Sequence, residues 1–394
     1  MLERILMRCT NTIIFNEYSF AMKYICYLLV FVFTACNNQP TAEESKESRS
    51  RNWELISFVK VDSVNPILRA DSTTTFVDPI MKKNIKWEEK DVFNPAAIVR
   101  NDTIFLLYRA EDKIGKYAGT SRIGLAWSVD GLHFQKLPEP VLYPDNDEQK
   151  KWEWEGGCED PRIVTGEQGN YVLTYTSYDG DKARLMLATS NDLVHWTKKG
   201  HAFEKAYGGR YVNTWSKSGS IISKYENGSP VAVKVNGKYW MYWGDTNIFL
   251  ASSDDLVNWS PIEEKDSTLQ IVFGPRTGKF DSDLVEPGPA AMLTDSGIVL
   301  IYNSRNVPAK GDTTLPEGTY AAGQVLLDKN NPVKVIDRSE QYFIKPEKPY
   351  ETTGQVNQVC FVEGLVQYKG KWFLYYGTAD SKIAVAIRTT GNGQ

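Results

Sequence analysis

Residues 154–163 read Trp-Glu-Gly-Gly-Cys-Glu-Asp-Pro-Arg-Ile, and they place the carboxylates of Glu159 and Asp160 next to Arg162. Proline has a fixed φ and disfavours helix in the residue before it, so Asp160 is expected at the mouth of a strand that begins at Arg162. An isolated Asp-Pro-Arg is also compatible with a simple turn and a surface ion pair. The recurrence of this unit along the chain favours a functional interpretation.

Related units recur at spacings of roughly 40–75 residues, a range that is typical of β-propeller blades. Five copies can be distinguished, and they begin at Asn94, Glu159, Lys238, Glu286 and Val362. The units combine an inner strand, an aromatic-rich strand, a strand of small residues and an outer strand that follows a turn of the Ser-Asx-Asp type. Long helical periodicity is absent from this region, which argues against a parallel sheet with crossover helices.

The pattern predicts an all-β chain in which residues 53–394 form a five-bladed β-propeller. In such a fold the inner strands line an axial funnel, and residues at the strand entrances face one shared pocket. The chain places Asn94, Asp160, Glu286 and Glu363 at corresponding entrances. We therefore expect these four side chains to share a site although they are far apart in sequence.

Composition narrows the possible partners. The formal net charge of -4 gives no reason to expect nucleic acid. An aromatic content of 12% suits the apolar faces of sugars, although propeller strands are rich in aromatic residues in any case. The five cysteines and three histidines show no zinc-type spacing, so neither a metal nor a cofactor is expected.

The N-terminus resembles a lipoprotein signal. Met22 and Lys23 precede an apolar run, residues 24–35, which is too short for a membrane span and ends at Cys36. We expect Met22 to be the true start, residues 1–36 to be the signal segment, and Cys36 to carry a lipid in the bacterial cell envelope. Residues 37–52 are polar and suit a tether. A buried thiol at Cys36 is the plainer alternative.

Two further cysteines, Cys158 and Cys360, lie at the predicted strand entrances. The sequence leaves open whether they are free or paired.

Together the motifs resemble family 130 of the glycoside hydrolases, whose members are five-bladed propellers that cleave β-mannosides by phosphorolysis or hydrolysis. The resemblance spans about residues 94–388. Its carriers are the segments 94–97, 108–112, 159–163, 288–289 and 375–380.

The resemblance implies a role for each matching residue. Asp160 would be the general acid and act through a hydroxyl of the bound mannose. A further set would bind the substrate, and it comprises Asn94, Arg109, Asp112, Glu159, Arg162, Lys217 and Asp380. A structural ion pair remains an alternative for Arg109 and Asp112.

The chain departs from the family's phosphorylases where phosphate should bind. The place of their His-Arg pair reads Tyr-Trp-Gly-Asp here, at residues 242–245, and their glycine-rich entrance in the fourth blade is replaced by residues 285–289, which include Glu286. Carboxylates beside a phosphate dianion would repel it by several kcal/mol. The departure favours an inverting hydrolase, with Asp245 or Glu286 as the base that activates water.

The acidic variant of this pocket is most similar to the β-1,2-mannosidases of the family, so a β-mannoside oligosaccharide is the expected partner. Three alternatives remain open. The first is a phosphorylase in which Lys217 contacts phosphate, and the second is a glycosidase of the arabinanase and xylosidase type. The third is a lipid-anchored propeller that binds glycans without cleaving them.

Overall fold

The computed structural model describes residues 52–117 and 119–389. These ranges contain 26 β-strands, two four-residue helices, α1 (Lys150–Glu153) and α2 (Pro349–Thr352), and one 3₁₀ turn (Ala206–Gly209). The expectation of a nearly all-β chain is confirmed. None of the helices in these ranges has the length and apolar character needed to cross a membrane. The predicted signal segment, Cys36 and the tether up to residue 51 lie outside the described residues.

Most strands belong to five antiparallel groups that follow one another along the chain. The first group contains β4 (Asp91–Arg100), β5 (Thr103–Glu111), β6 (Ser121–Ser128) and β7 (Gln135–Lys136). The second contains β8 (Gly157–Thr165), β9 (Tyr171–Tyr178), β10 (Ala183–Ser190) and β11 (Thr197–His201). The third contains β12 (Ser220–Ile221), β15 (Tyr239–Trp243), β16 (Ile248–Ser253), β17 (Trp259–Pro261) and β18 (Ile271–Phe273).

The last two groups are also antiparallel. The fourth contains β19 (Leu284–Pro287), β20 (Met292–Leu293), β21 (Ile298–Arg305), β22 (Tyr320–Asp328) and β23 (Asn331–Arg338). The fifth contains β24 (Cys360–Tyr368), β25 (Lys371–Thr378), β26 (Lys382–Thr389) and β1 (Val59–Lys60). Two hairpins, β2 (Phe76–Asp78) with β3 (Lys83–Ile85) and β13 (Ser223–Glu226) with β14 (Ser229–Ala232), complete the strands.

Turns of the predicted Ser-Asx-Asp type precede the outer strands of the first three groups, although Val129 is the middle residue of the first turn. In the first, Ser128 Oγ accepts a hydrogen bond from the Gly131 amide, and Asp130 Oδ1 accepts from the Leu132 and His133 amides. The same arrangement is repeated at Ser190 with Asp192 and at Ser253 with Asp255. Short polar side chains thus replace the missing backbone partners of a tight turn.

In four groups, a buried tyrosine in the strand that pairs with the innermost strand donates a hydrogen bond from its hydroxyl to a buried carboxylate. That carboxylate lies just before the first strand of the group and also accepts a hydrogen bond from a lysine or arginine in the outermost strand. The four sets are Tyr108, Glu88 and Lys136; Tyr175, Glu153 and Lys198; Tyr302, Asp281 and Arg338; and Tyr376, Glu351 and Lys60. Each set ties the outer strand of its group to the approach of the inner strand.

The fifth group joins both ends of the described chain, because β1 pairs with β26. Val59 lies opposite Ile387 and Lys60 opposite Ala386. The Lys60 ammonium then bonds Glu351 at 2.7 Å, which completes the fourth tyrosine set. The strand nearest the N-terminus is therefore held by backbone pairing and by a buried ion pair.

Candidate active site

Three inner strands carry a bulge at the residue that the sequence predicted at a strand entrance. The pairing register skips Asn94 in β4, the Asp160-Pro161 step in β8 and Glu363 in β24. Asn94 has φ 48° and Asp160 has φ 45°, a left-handed conformation that is uncommon outside glycine. A bulge re-aims the side chain it carries. These bulges free Asn94 and Asp160 to meet each other.

Asp160 lies at the centre of the resulting cluster. Its Oδ1 accepts hydrogen bonds from Asn94 Nδ2 at 2.9 Å and from an Arg109 guanidinium nitrogen at 3.1 Å. The Lys217 ammonium lies 3.6 Å from Oδ2. Burial alone would raise the pKa of Asp160, but the charges of Arg109 and Lys217 outweigh it and hold the pKa well below its usual range. Asp160 is therefore ionised in the free protein.

Arg109 binds three carboxylates. Besides Asp160, its guanidinium bonds Glu111 Oε1 at 2.7 Å and Glu159 Oε1 at 3.1 Å, and it lies 4.7 Å from the centre of the Phe93 ring. Glu111 was not among the site residues predicted from the sequence. Residues two apart on a strand share a face, so the position of Glu111 in β5 was the signal that could have found it.

The pKa values of two carboxyl groups near Asp160 shift in the opposite direction, upward. Burial raises the pKa of Glu159 to about 7, although Arg109 opposes the shift. Burial likewise raises the pKa of Asp380 to about 7, again against Arg109. Carboxyl groups with separated pKa values in one pocket are characteristic of acid and base catalysis.

The second carboxylate of interest is Glu286, from β19. Its Oε1 accepts a hydrogen bond from the Ser218 hydroxyl and lies 3.3 Å from the Lys217 ammonium. Burial raises the pKa of Glu286, and the charges of Lys217 and Arg162 offset this only in part. Lys217 thus stands between Asp160 and Glu286. Sequence reasoning missed Ser218, whose only signal was its place next to Lys217.

Asp245 lies at the edge of the same cluster. It is half-buried, and its Oδ2 accepts a hydrogen bond from Trp215 Nε1 at 2.7 Å. Its charge helps to raise the pKa of Lys217, although Glu286 and Asp160 contribute more and burial opposes the shift. The structure therefore brings both predicted base candidates to Lys217, with Glu286 in direct contact.

Arg162 was predicted to bind substrate, but only 2% of its side chain is exposed. It donates hydrogen bonds to the carbonyls of Pro287, Gly288 and Asp160, and it forms a 3.0 Å ion pair with Glu363. These partners occupy all three nitrogen atoms of its guanidinium group. The structure thus gives Arg162 a positioning role, in which it holds the strand that carries Glu286 against the strand that carries Asp160.

Asp112 also differs from the expected sugar contact. It is fully buried, and its carboxylate accepts hydrogen bonds from the Ile114 and Thr120 amides and from Arg122. Arg122 bonds Asp78 as well, at 2.8 Å. The structure does not bring Asp112 to the cluster, because these partners occupy its carboxylate. The structural ion pair that the sequence left open is the arrangement found.

The sequence left open whether the two cysteines at the strand entrances pair with each other. Cys158 and Cys360 are both buried and free, so they do not pair. Within residues 52–117 and 119–389, no group of three or more His, Cys, Asp or Glu side chains is placed to hold a metal ion.

Comparison with known proteins identifies the family of enzymes to which the chain belongs. The sequence model of glycoside hydrolase family 130, described as beta-1,4-mannooligosaccharide phosphorylase, matches residues 60–391. The chain belongs to glycoside hydrolase family 130.

Individual relatives agree with this membership. A 1,2-beta-oligomannan phosphorylase from Thermoanaerobacter sp. strain X514 is 33% identical over 315 residues, 78% of this chain and 92% of that protein. A crystal structure of a glycosyl hydrolase from Bacteroides ovatus is 47% identical with a TM-score of 0.84, covering 87% of this chain and 97% of the other.

A further solved structure shares 47% identity and a TM-score of 0.84 over 86% of this chain and 95% of its own. It comes from work stating that this family of mannoside phosphorylases contains glycoside hydrolases that target beta-1,2 mannosidic linkages in Candida mannan.

Proposed function

We propose that this protein is an inverting glycoside hydrolase that removes mannose from β-mannosides, with β-1,2-linked mannosides as substrates. The observation that carries the proposal is the pairing of the cations in the cluster. Arg109 faces three carboxylates, and Lys217 faces Asp160 and Glu286. Arg162 faces Glu363 and backbone carbonyls. These pairings leave little positive charge for a phosphate dianion, whereas a neutral water molecule needs only a base.

In the proposed reaction, water attacks C1 of the mannose as the bond between C1 and the glycosidic oxygen breaks. Asp160 supplies a proton to the leaving oxygen through a sugar hydroxyl, and a carboxylate on the other side accepts the proton of the water. Because Arg109 and Lys217 favour ionised Asp160 in the free protein, Asp160 must first take up a proton from solvent. It does so when the bound sugar separates it from at least one of these cations, and that proton is the one passed through the sugar hydroxyl.

Glu286 is the better candidate for the base. It is buried, and its raised pKa makes it a stronger proton acceptor than an ordinary carboxylate. Ser218 and Lys217 fix its orientation. Asp245 would then orient the water or tune the charge of Lys217. Asn94, Arg109, Glu159 and Asp380 remain the proposed contacts to the sugar.

The proposal includes a closed, five-bladed propeller with the cluster at its axis. Five antiparallel groups follow each other, the inner strands β4, β8 and β24 contact one another, and β1 joins the last group. This arrangement supports a ring closed by the two ends of the chain.

We also propose a place in the bacterial cell envelope, with the enzyme held by a lipid on Cys36. The support is the sequence alone, namely the apolar run that ends at Cys36 and the polar segment 37–52.

A β-1,2-mannoside phosphorylase is the second candidate. The 1,2-beta-oligomannan phosphorylase relative that is 33% identical supports both phosphorolysis and the β-1,2 linkage. The description of the matching family supports phosphorolysis, although it names β-1,4-linked mannooligosaccharides. The two candidates differ in the second substrate, because a phosphorylase uses phosphate where a hydrolase uses water.

Product analysis distinguishes them. Residues 37–394 would be incubated with β-1,2-mannobiose, with and without phosphate, and the products separated by anion-exchange chromatography. The hydrolase yields free mannose at a rate that phosphate does not change. Mannose 1-phosphate as the main product would establish the second candidate. Proton NMR of the first product reports whether the anomeric configuration is inverted.

A further inference from the structure

The connection between β11 and β12, residues 202–219, carries two aromatic rings that are unusually exposed. Tyr207 and Trp215 each have 46% of their surface exposed. The connection begins at the outermost strand of the second group and ends at the innermost strand of the third. It therefore crosses the molecule from the edge of one group to the carboxylate cluster, with Trp215 two residues before Lys217.

Trp215 is anchored beside the cluster by a hydrogen bond and by its neighbours in the chain. Its indole nitrogen donates to Asp245 at 2.7 Å. The next residue, Ser216, forms two hydrogen bonds with the start of β10. Its amide donates to the Ala183 carbonyl, and its hydroxyl accepts from the Leu185 amide. The Lys217 carbonyl accepts a hydrogen bond from Gly244. With its only polar atom satisfied, the exposed part of the Trp215 side chain is an apolar ring surface.

Tyr207 is fixed in a similar way at the outer end of the connection. Its hydroxyl donates to the Pro261 carbonyl at 2.9 Å, and the Arg210 guanidinium lies 5.5 Å from its ring centre. Its φ is 49°, a strained value for a bulky residue. Strain of this kind persists where the surrounding structure enforces it and often marks a ligand contact.

We propose that Trp215, with Tyr207 further out, forms a platform for sugar units beyond the mannose pair that is cleaved. Flat aromatic faces bind apolar surfaces, and a pyranose presents such a surface through its C–H groups. Rings that are already immobilised cost little entropy when a ligand binds. The substrate class is therefore a mannoside chain longer than a disaccharide. This inference rests on the proposed function.

The test compares two substitutions at one position. Trp215→Phe keeps an aromatic ring and removes the bond to Asp245, whereas Trp215→Ala removes both. The readout is the ratio of kcat/KM for β-1,2-mannotetraose to that for β-1,2-mannobiose. We expect Trp215→Ala to lower this ratio roughly three- to tenfold, as for the loss of one aromatic contact. Trp215→Phe should retain most of the ratio.

The same variants are made in an Asp160→Asn background, and the dissociation constants of both oligosaccharides are measured by calorimetry. Melting temperatures check folding. The platform is refuted if Trp215→Ala leaves both ratios unchanged, if Trp215→Phe lowers them as much as Trp215→Ala, or if neither oligosaccharide binds.

The two proposals fail in different ways. Release of mannose with an unchanged ratio would leave the hydrolase standing and refute the platform. Selective loss of tetraose affinity in Trp215→Ala without any mannose release would support the platform and refute the hydrolase. Tyr207→Ala and Tyr207→Phe extend the test to β-1,2-mannohexaose, where loss of the ring should matter more than loss of the hydroxyl.

Discussion

Asn94 donates a hydrogen bond to Asp160 at 2.9 Å across 66 residues of sequence, and both residues adopt the left-handed conformation at a bulge. Each bulge costs backbone strain of about 1–3 kcal/mol, which a folded protein tolerates where function requires it. The amide of Asn94 supports the ionised form of Asp160 together with Arg109 and Lys217. The pair thus links the local backbone geometry of two strands to the charge of the proposed acid.

Asp160→Asn should lower kcat for β-1,2-mannobiose by about 10²–10⁴-fold, because the amide cannot supply the proton that the leaving oxygen needs. An aryl mannoside whose leaving group is stable as an anion serves as the control substrate, and its cleavage should be much less affected. Stopped assays of mannose and aryl release measure both. Near-normal turnover of mannobiose by the folded variant would exclude Asp160 as the acid.

Glu286→Ala should reduce turnover of mannobiose more than Asp245→Ala, because Glu286 is buried and contacts Lys217 directly. The double variant should lose more activity than either single one, though by less than the product of the two losses if the residues act as a unit. Steady-state kinetics of the three proteins test this. A larger effect of Asp245→Ala would exchange the two roles.

Asp380→Asn should make the protein more stable above pH 7 while lowering its activity. Burial raises the pKa of folded Asp380 to about 7 from an ordinary 3.8, so the folded state keeps a proton that the unfolded chain releases between about pH 4 and pH 7. The free energy of unfolding of the wild-type protein therefore falls as pH rises through this window. The amide of the Asp380→Asn variant does not titrate, so the variant does not lose this stability. Melting temperatures of both proteins at pH 4.5 and pH 8 should converge at the lower pH. A variant equally destabilised at both would contradict the argument.

Lys60→Met should lower the free energy of unfolding by about 3 kcal/mol, because it leaves the buried carboxylate of Glu351 without its cation. Lys348→Met is the matched control, since Lys348 pairs with Asp62 on the surface and such a pair contributes little. Urea unfolding followed by tryptophan fluorescence compares the two. Equal midpoints would mean that the Lys60 pair does not hold the fifth group together.

Cys36→Ser should release the full-length protein from membranes of a Gram-negative host or leave its signal uncleaved. The wild-type protein should sediment with the membrane fraction and carry a lipid on Cys36. Mass spectrometry of the mature N-terminus measures this directly. An unmodified Cys36 would overturn the proposed anchor.

The local sequence determined the strands, their turns and several residues of the candidate site. The strands and their Ser-Asx-Asp-type turns could be predicted because alternating apolar residues and short polar side chains act within a few residues of chain. The repeat of strand entrances also predicted that Asn94, Asp160 and Glu286 would share a site. The structure brings them together through Lys217 and Arg109.

Tertiary structure decided which charged residues are available in that site. The motifs predicted Asp112 and Arg162 as substrate contacts, yet Asp112 is occupied by Arg122 and two amides, and Arg162 by backbone carbonyls. Glu111, which the motif did not single out, bonds Arg109. The charge state of Asp160 and Asp380 likewise depends on burial and on partners from distant strands. Such contacts cannot be read from sequence, because desolvation and Coulomb energies depend on distances that only the folded chain defines.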